Sequence, residues 1–403
     1  MSYIGPLLAT ALITCGTAAI AADTFKDDVD FLRRHVEVIL LSDAQGNAKV
    51  ALVPAWQGRV MTSTARGDDG PGFGWVNREL IASGKLEPHI NVFGGEDRIW
   101  LGPEGGQFSI FFAKDAPFDL DHWFVPKPLD TLPFETVSHS GDRAHFRSDF
   151  DLTNHSGAAF SVRVDREIHL LTPEDAWRRL GERPAAGVEL VAYESRNTLT
   201  NTGDAAWNRE TGLLSLWVLG MFNSSPSTTI AVPIKAGPES ELGAKVTSDY
   251  FGKVPAERLV VHDNAVFLLG DARYRSKIGI NPRRSLGKLG SYDVENHVLT
   301  IVQFDQPADV TEYVNSLWEL QSDPFGGDAI NSYNDGPPSP GAKQLGQFYE
   351  LETSSPAAML SPNGSIGHTH RTIHLTGPEA ALDAIARSTL GVSLSEFRGA
   401  FAN

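Results

Sequence analysis

The chain has 403 residues, of which 41% are hydrophobic and 21% are charged, as is typical of a globular protein with a sizeable core. Its formal net charge of −16 argues against a nucleic-acid partner, whose phosphates require a basic surface, and against docking on anionic membranes. The length permits one large β domain or two or three smaller domains, and the sequence does not reveal the oligomeric state.

The first 22 residues carry no charged side chain, and a charged stretch follows them. An apolar run that ends in Ala19-Ile20-Ala21 is typical of a secretory signal peptide with an A-x-A cleavage site. We therefore expect residues 1–22 to be removed and the protein to be periplasmic or secreted. The alternatives are an N-terminal anchor helix and lipidation at Cys15. Because Cys15 is the only cysteine, a mature chain would form no disulfide and would have no thiolate nucleophile.

The elements that follow are mainly short strands. The segment "TFKDDVDFLRRHVEVILLSD" predicts a short helix that runs into a strand, and "DAQGNAKVALVPAW" predicts a hairpin turn and a second strand. Further runs rich in Val, Phe, Ile and Thr are separated by Gly, Asn, Asp and Pro, and several alternate with period two, which predicts strands. These runs are "GQFSIFFA", "RAHFRSDFDLTN", "FSVRVDREIHLL", "VELVAYESRNTLTN", "TTIAVPI", "AVFLLGD" and "HVLTIVQFD".

Helical periodicity is convincing only near the C-terminus. "GPEAALDAIARSTLG" predicts a helix with Pro378 at its start and Gly391 at its end, and "SLSEFRGAFA" predicts a second short helix. Many strands with few helices predict an all-β fold, a large twisted antiparallel β-sandwich formed by a single domain over residues 23–403. The irregular stretch 322–343 contains aromatic and aliphatic side chains, so we expect an ordered loop lying on the sandwich.

Three histidines stand close together in "GHTHRTIHL", near the end of the chain. If this segment is a strand, successive side chains alternate in direction, so His368, His370 and His374 share one face. We expect that face to be an outer or concave one. The histidines could ligate a metal with a third ligand from elsewhere, take part in sugar binding or proton transfer, or make only structural hydrogen bonds, and these alternatives stay open.

Two glutamates precede the histidine strand in "FYELE", where Glu350 and Glu352 share a face. If the two strands lie near each other, these carboxylates converge with His368 and His370. Such a group suits general acid–base chemistry on a sugar hydroxyl, because a carboxylate takes a proton and an imidazole near neutral pKa supplies one. The alternative is a pair of solvated surface glutamates.

A Gly-rich segment, "INVFGGEDRIWLGPEGGQFSIFF", supplies a second group of candidates. It is not a phosphate-binding loop, because the required lysine and following helix are missing. We expect Trp100 to stack on a sugar ring, and Glu96, Arg98 and Glu104 to hold its hydroxyl groups. The alternative is that Arg98 pairs with a neighbouring glutamate and only holds the loop.

Three further side chains are candidates for holding substrate. Tyr333 and Asp335 stand in "SYNDGPP", for which the alternative is a plain Asn-Asp-Gly turn. Arg371 lies between the histidines and, like Arg98, could neutralise the carboxylate of a uronate.

The order of three motifs resembles the galactose mutarotase, or aldose 1-epimerase, superfamily. "LETSSPAAMLSPNGSIGHTHRTIHL" is similar to its C-terminal signature, "INVFGGEDRIW" to its "N-x-x-G-G" loop at the sugar site, and "TNTGDAAWNRETGLLSLWVLGMFNSSP" to its central stretch. The resemblance implies a β-sandwich whose concave face binds carbohydrate, with Glu352 at the position of the catalytic base. The family's usual general acid, a histidine just before a Phe-Asn pair, is absent from the run "LGMFN", and His368, His370 or His89 could substitute.

The resemblance and the residues together predict an exported carbohydrate-active protein with aldose 1-epimerase-like chemistry. Glu352 would be the base, Glu350 would assist it because neighbouring carboxylates raise each other's pKa, and His368 or His370 would be the acid. The alternatives are a polysaccharide lyase or glycoside hydrolase on the same scaffold, and a non-catalytic carbohydrate-binding protein, which the missing histidine favours. We expect a carbohydrate ligand and no cofactor, no nucleic acid and, beyond the export signal, no membrane.

Overall fold

The structure is a computed structural model, and it describes residues 23–339 and 341–402. The predicted signal peptide of residues 1–22, with Cys15, lies outside the described residues. In the described part of the chain, every helix is too short or too polar to cross a lipid bilayer.

Strands make up most of the regular structure. They are β1 (Ile39–Ser42), β2 (Lys49–Val53), β3 (Arg59–Thr64), β4 (Arg98–Gly102), β5 (Glu135–His139), β6 (Arg143–Thr153), β7 (Ala159–Leu170), β8 (Glu189–Asn201), β9 (Ser215–Asn223), β10 (Thr228–Pro233), β11 (Leu259–Val261), β12 (Ala265–Leu269), β13 (Ser276–Ile280), β14 (Lys288–Asp293), β15 (Val298–Phe304), β16 (Ile330–Asn334), β17 (Phe348–Ser354) and β18 (Ser365–Thr376). The helices are α1 (Phe25–Arg33), α2 (Arg78–Ser83), α3 (Lys127–Asp130), α4 (Pro173–Leu180), α5 (Glu239–Leu242), α6 (Glu379–Leu390) and α7 (Leu394–Gly399).

Three sheets organise these strands. Ten strands form the largest sheet, in the order β11-β12-β10-β14-β15-β18-β8-β7-β6-β5. Five strands form a second sheet, in the order β13-β16-β17-β9-β4, and the remaining three form the sheet β1-β2-β3. Neighbouring strands are antiparallel throughout the two larger sheets. The fold is therefore the predicted large antiparallel β-sandwich with short helices at its C-terminus.

The two larger sheets pack face to face. The side chains of β17 point alternately toward the ten-stranded sheet and away from it. Leu351 belongs to the same buried apolar cluster as Val302 of β15, so its side chain points toward the ten-stranded sheet. Successive side chains of a strand point to opposite faces. Glu350 and Glu352 therefore lie on the face of the five-stranded sheet that is turned away from its partner.

Helices cover the other face of the ten-stranded sheet. Leu382 and Ile385 of α6 share a buried apolar cluster with Ile373 and Leu375 of β18. Helix α6 begins after Pro378 and ends before Gly391, as the sequence predicts. The residues of β18 that alternate with the histidines thus become part of a second core beneath the C-terminal helices.

Two predictions about local structure are wrong. Residues 106–113, predicted as a strand, form turns with one isolated bridge from Phe112 to Trp123, because Gly106 at φ 79 turns the chain. The stretch 322–343, predicted as a loop on the sandwich, contains β16, which lies between β13 and β17 in the five-stranded sheet. Glycine and proline on both sides of this short strand conceal its alternation in the sequence.

Two glycines near the C-terminus allow a matched test of backbone conformation. Gly391 has φ 73 and an added Cβ would meet nothing within 4 Å, so Gly391→Ala should destabilise the protein by about 1 kcal/mol through strain alone. Gly399 ends α7 without a positive φ and also has open space, so Gly399→Ala should be neutral or stabilising by up to about 1 kcal/mol. Denaturant unfolding of both variants measures the difference, and shifts of the same sign would contradict it.

Candidate active site

A cleft lies on the face of the five-stranded sheet that is turned away from the ten-stranded sheet. One row of paired residues crosses this sheet, from Arg98 through Leu219, Glu352 and Asn331 to Gly279. Paired residues of neighbouring strands point to the same face, so the row fixes which side chains reach the cleft. The cleft has a volume of about 80 Å³ and is lined by Ile90, Arg98, Trp100, Glu104, Trp123, Trp217, Leu219, Met221, Phe251, Arg275, Lys277, Tyr333, Leu345, Phe348 and Glu350.

Glu350 of β17 lines the cleft and forms a buried ion pair with Arg98 of β4. Arg98 Nη2 is 3.0 Å from Glu350 Oε1. Burial raises the pKa of Glu350 to about 8, although the Arg98 guanidinium opposes this shift. The guanidinium also lies over the Trp100 ring, 4.2 Å from the ring centroid. The raised pKa lets Glu350 take up and donate a proton near neutral pH, while Arg98 stays hydrogen-bonded to its Oε1 atom.

Lys277 of β13 forms the second buried ion pair, with Glu352. Lys277 Nζ is 3.3 Å from Glu352 Oε2 and 3.8 Å from Glu104 Oε2. The Trp217 indole donates a hydrogen bond of 2.9 Å to the same Glu352 oxygen. Burial lowers the pKa of Lys277, but Glu352 and Glu104 outweigh burial and the net shift is upward. The ammonium group therefore stays charged at this position in the cleft.

Two buried polar atoms of this floor have no hydrogen-bond partner among the described residues. They are Glu352 Oε1 and Arg98 Nε. Glu352 has no exposed surface, and Arg98 is 3% exposed. Buried polar atoms are normally hydrogen-bonded, so unpaired ones indicate a position for water or for a polar group of a ligand.

Tyr333 lines the cleft, and Asp335 supports it from behind. The Tyr333 hydroxyl donates a hydrogen bond of 2.7 Å to Asp335 Oδ1, and the Gly346 backbone N–H donates one of 2.7 Å to Oδ2. Burial raises the pKa of both Asp335 and Tyr333. Of these two predicted substrate-binding residues, Tyr333 reaches the cleft, while Asp335 orients its hydroxyl.

The predicted convergence of His368 and His370 with the two glutamates is wrong. Thr353 follows Glu352 and points to the other face of β17, where its hydroxyl is 2.7 Å from His368 Nε2 and 2.8 Å from His370 Nδ1. The histidines lie between the two larger sheets, because β18 pairs with β8 and β15 rather than with β17. Burial lowers the pKa of His368 to about 3 and that of His370 to about 4, so both are neutral at physiological pH.

The sequence left metal binding open as one role for the histidines of β18. Within residues 23–339 and 341–402, no group of three or more His, Cys, Asp and Glu side chains is arranged to hold a metal ion. His89, a possible substitute acid, has its Nδ1 atom 2.7 Å from the Trp123 carbonyl oxygen and is stacked on Phe124. These contacts give the histidines structural partners outside the cleft.

Glu96 and Arg371 also lie outside the cleft, contrary to the prediction that they hold substrate there. Glu96 Oε2 accepts a hydrogen bond of 2.9 Å from the Tyr193 hydroxyl and is 3.0 Å from His374 Nε2, in the protein interior. Arg371 alternates with the histidines and points to the opposite face of β18, where it makes hydrogen bonds of 2.7 and 2.9 Å to Asp305. Both side chains are engaged in holding the fold.

Three further residues line the cleft and were not predicted from the sequence: Arg275, Lys277 and Trp217. The segment "ARYRSKIGI" carries the signal for the two cations, since alternation places Arg275 and Lys277 on one face. Trp217 stands two residues before Leu219 on β9 and shares its face for the same reason. The segment "ARYRSKIGI" matches no known motif, so its sequence gives no reason to assign Arg275 and Lys277 to a site.

Solved structures of similar fold match the chain at low sequence identity. The Slr1438 protein from Synechocystis matches over 85% of this chain and 96% of its own, with 14% identity and a TM-score of 0.51. A galactose mutarotase-like protein from Lactobacillus casei matches over 84% of this chain and 100% of its own, with 11% identity and a TM-score of 0.48. A galactose mutarotase related enzyme from Lactobacillus acidophilus matches over 85% and 97%, with 10% identity and a TM-score of 0.44. At this level of identity, the likeness to the Synechocystis protein is one of fold.

Comparisons of sequence point to a family without an assigned activity. No curated protein gives a significant match to the chain. The profile of a family described as "Family of unknown function (DUF6786)" matches residues 23–401. The match therefore spans nearly all of the chain that follows the predicted signal peptide.

The Thr353 hydroxyl joins β17 to both histidines of β18, so Thr353→Val should leave buried imidazole nitrogens without a partner. We expect the free energy of unfolding to fall by about 2 kcal/mol. Thr376→Val makes the same isosteric change at a partly exposed position of β18 and should cost less than about 0.5 kcal/mol. Denaturant unfolding compares the two variants, and equal losses would contradict a specific bond between the sheets.

The raised pKa of Glu350 predicts a contribution to stability that decreases as pH rises. An unfolded glutamate ionises near pH 4.3, whereas the folded group ionises near pH 8. Between these values the unfolded chain binds fewer protons than the folded one, so stability falls as pH rises. Glu350→Gln keeps the side chain neutral, so its stability relative to the wild-type protein should rise across this window by up to about 1.4 kcal/mol for each pH unit.

The measurement is urea unfolding of both proteins from about pH 5 to about pH 8. Loss of the Arg98 partner lowers the stability of the variant, so the informative quantity is the slope of the difference with pH. Glu257→Gln changes an exposed glutamate and serves as the control, for which the difference should stay flat. A flat difference for Glu350→Gln as well would show that this carboxyl is ionised throughout.

Proposed function

Because the chain belongs to the DUF6786 family and has a mutarotase-like β-sandwich fold, we propose that its cleft binds a sugar and interconverts the anomers, as an aldose 1-epimerase does. The observation that carries the proposal is the pair Glu350 and Glu352, two carboxyl groups on one face of one strand in different environments. Burial raises the pKa of Glu350 to about 8, while Glu352 lies 3.3 Å from a lysine ammonium. Two carboxyl groups that differ in this way can divide acid and base roles.

The chemistry follows from these environments. Glu352 takes the proton of the anomeric hydroxyl, and Glu350 gives its proton to the ring oxygen, so the bond between the anomeric carbon and the ring oxygen breaks. The product is the open-chain aldehyde. Rotation about the adjacent carbon–carbon bond presents the other face of the aldehyde. On ring closure the attacking hydroxyl returns its proton to Glu350, and Glu352 gives the proton it holds to the aldehyde oxygen, so both residues regain their starting states. The two side chains are about 6 to 7 Å apart along the strand backbone, a span that one sugar ring can bridge.

The acid in this scheme replaces the histidine that the related superfamily usually carries before its Phe-Asn pair. Leu219, opposite Glu352 in the strand register, lines the cleft with an apolar side chain. Glu350 lies on the neighbouring strand and is paired in register with Met221. A raised carboxyl pKa thus supplies at this position what an imidazole supplies elsewhere, and His368 and His370 have no part in the scheme.

The aromatic side chains of the cleft suit a sugar ring. Trp100 and Trp217 meet edge to face with centroids 5.5 Å apart, and Trp123 lies 6.3 Å from Trp100. Aromatic faces pack against the apolar face of a sugar while the ion-paired groups contact its hydroxyls. The volume of about 80 Å³ is below that of ordinary ligand pockets, so binding of a whole sugar ring requires a rim side chain, such as the 47% exposed Leu345, to be displaced.

Sugar binding without turnover is the second candidate. The specific observation in its favour is that both carboxyl groups already have cationic partners, Arg98 and Lys277, and that Glu352 is fully buried. Such a site would hold hydroxyl groups and transfer no proton. The proposed location, in either case, is the periplasm or the exterior of the cell, on the strength of the apolar first 22 residues.

Anomer interconversion followed by NMR tests the proposal. The wild-type protein should accelerate equilibration of a freshly dissolved aldose, and Glu352→Gln and Glu350→Gln should each reduce the rate by about 100-fold or more. The wild-type rate should fall as pH rises through about 8, because Glu350 must be protonated to act as the acid.

Glu257→Gln is the control for these variants and should keep the wild-type rate, since Glu257 is exposed and outside the cleft. Circular dichroism establishes that each variant is folded before its rate is compared. Saturable sugar binding that survives Glu352→Gln, with no acceleration by the wild-type protein, would replace the first candidate with the second.

A further inference from the structure

Arg275 is a cation at the rim of the cleft without an acidic partner. It directly precedes β13, is half-buried, and lines the cleft together with Phe251. Its guanidinium carbon lies over the Phe251 ring, 3.8 Å from the ring centroid. Among residues 23–339 and 341–402 it forms no ion pair with a carboxylate, so its planar face is held by an aromatic ring while its N–H groups remain available.

The other charges of the cleft are already matched within the protein. Arg98 is paired with Glu350 at 3.0 Å, and Lys277 is paired with Glu352 at 3.3 Å. Lys277 also lies 3.8 Å from Glu104.

Arg275 experiences the charges of Glu104 and Asp335 at a longer range than that of an ion pair. Glu104 lies 3.8 Å from Lys277, and Asp335 is held by neighbouring groups. The two Asp335 oxygens accept hydrogen bonds of 2.7 Å from the Tyr333 hydroxyl and the Gly346 N–H, which hold it away from the rim. Arg275 is therefore the cation of the cleft that has no carboxylate of the described residues within ion-pair distance.

From this arrangement we propose that the ligand is an acidic sugar, a uronate whose carboxylate pairs with Arg275 while its ring occupies the cleft. This inference rests on the proposed sugar site and names its substrate class. A guanidinium presents a planar fork of donors that matches a carboxylate through two parallel hydrogen bonds. Phe251 fixes the plane of that fork in advance, so little side-chain entropy is lost on binding.

The charge of Arg275 also indicates which acidic group the ligand carries. The Arg275 guanidinium carries a single positive charge and has no ion-pair partner of its own, so one carboxylate suits it, whereas a phosphate group carries about −1.5 to −2. The net charge of −16 opposes the approach of long polyanions, which favours a single uronate or a short oligomer over a polymer.

Binding measurements on the full chain test this inference with matched sugars. Isothermal titration compares galacturonate and glucuronate with galactose and glucose, and with glucose 6-phosphate. We expect uronates to bind at least about tenfold more tightly than the neutral sugars, in line with a charge-assisted hydrogen-bonded pair. Arg275→Gln should reduce uronate binding to the level of the neutral sugars, and Arg275→Lys should restore part of the difference, because lysine keeps the charge and loses the fork.

Arg273→Gln is the matched control, since Arg273 is exposed two residues away and does not line the cleft. It should leave uronate binding unchanged. Equal affinity for uronates and neutral sugars would overturn the inference and leave the proposed sugar site standing. Tighter binding of glucose 6-phosphate than of any uronate would overturn the choice of carboxylate, and no binding of any sugar would overturn both proposals.

Discussion

Two buried ion pairs hold the five-stranded sheet together across its width. Arg98 of β4 reaches over β9 to Glu350, and Lys277 of β13 reaches over β16 to Glu352, so each pair joins β17 to a strand that is not its neighbour. Removing one partner of such a pair leaves an uncompensated buried charge and costs about 3 to 5 kcal/mol. The charged side chains of the cleft floor are thereby fixed in position before any ligand arrives.

Strand β17 has polar side chains on both of its faces, and the polar groups of one face do not contact those of the other. Glu350 lines the cleft and Glu352 lies buried on the same face of the strand, whereas Thr353 faces the ten-stranded sheet and holds His368 and His370. The inner face is polar because buried imidazoles need hydrogen-bond partners, and the threonine hydroxyl supplies them. The outer face is polar in a different way, since its groups include unpaired atoms that a ligand can satisfy.

Local patterns in the sequence predicted much of this arrangement. Alternation placed Glu350 with Glu352, and His368 with His370, and the caps at Pro378 and Gly391 bounded α6. The sequence could not show which strands are neighbours, because the pairing of β18 with β8 joins segments far apart in the chain and depends on tertiary packing. The ion pair of Lys277 with Glu352 could not be predicted for the same reason, because it forms only when β13, β16 and β17 lie side by side.

The cleft is built from two kinds of structure, and they constrain amino-acid replacement differently. Its floor consists of strand residues locked by mutual charge, so a change at one position requires a compensating change at another. Its rim includes Arg275, Phe251 and Leu345, which lie outside the strands of the sheet. Over the course of descent from a common ancestor, rim side chains can be exchanged one at a time. A replacement at the rim can therefore change what the cleft recognises without disturbing the ion pairs of the floor.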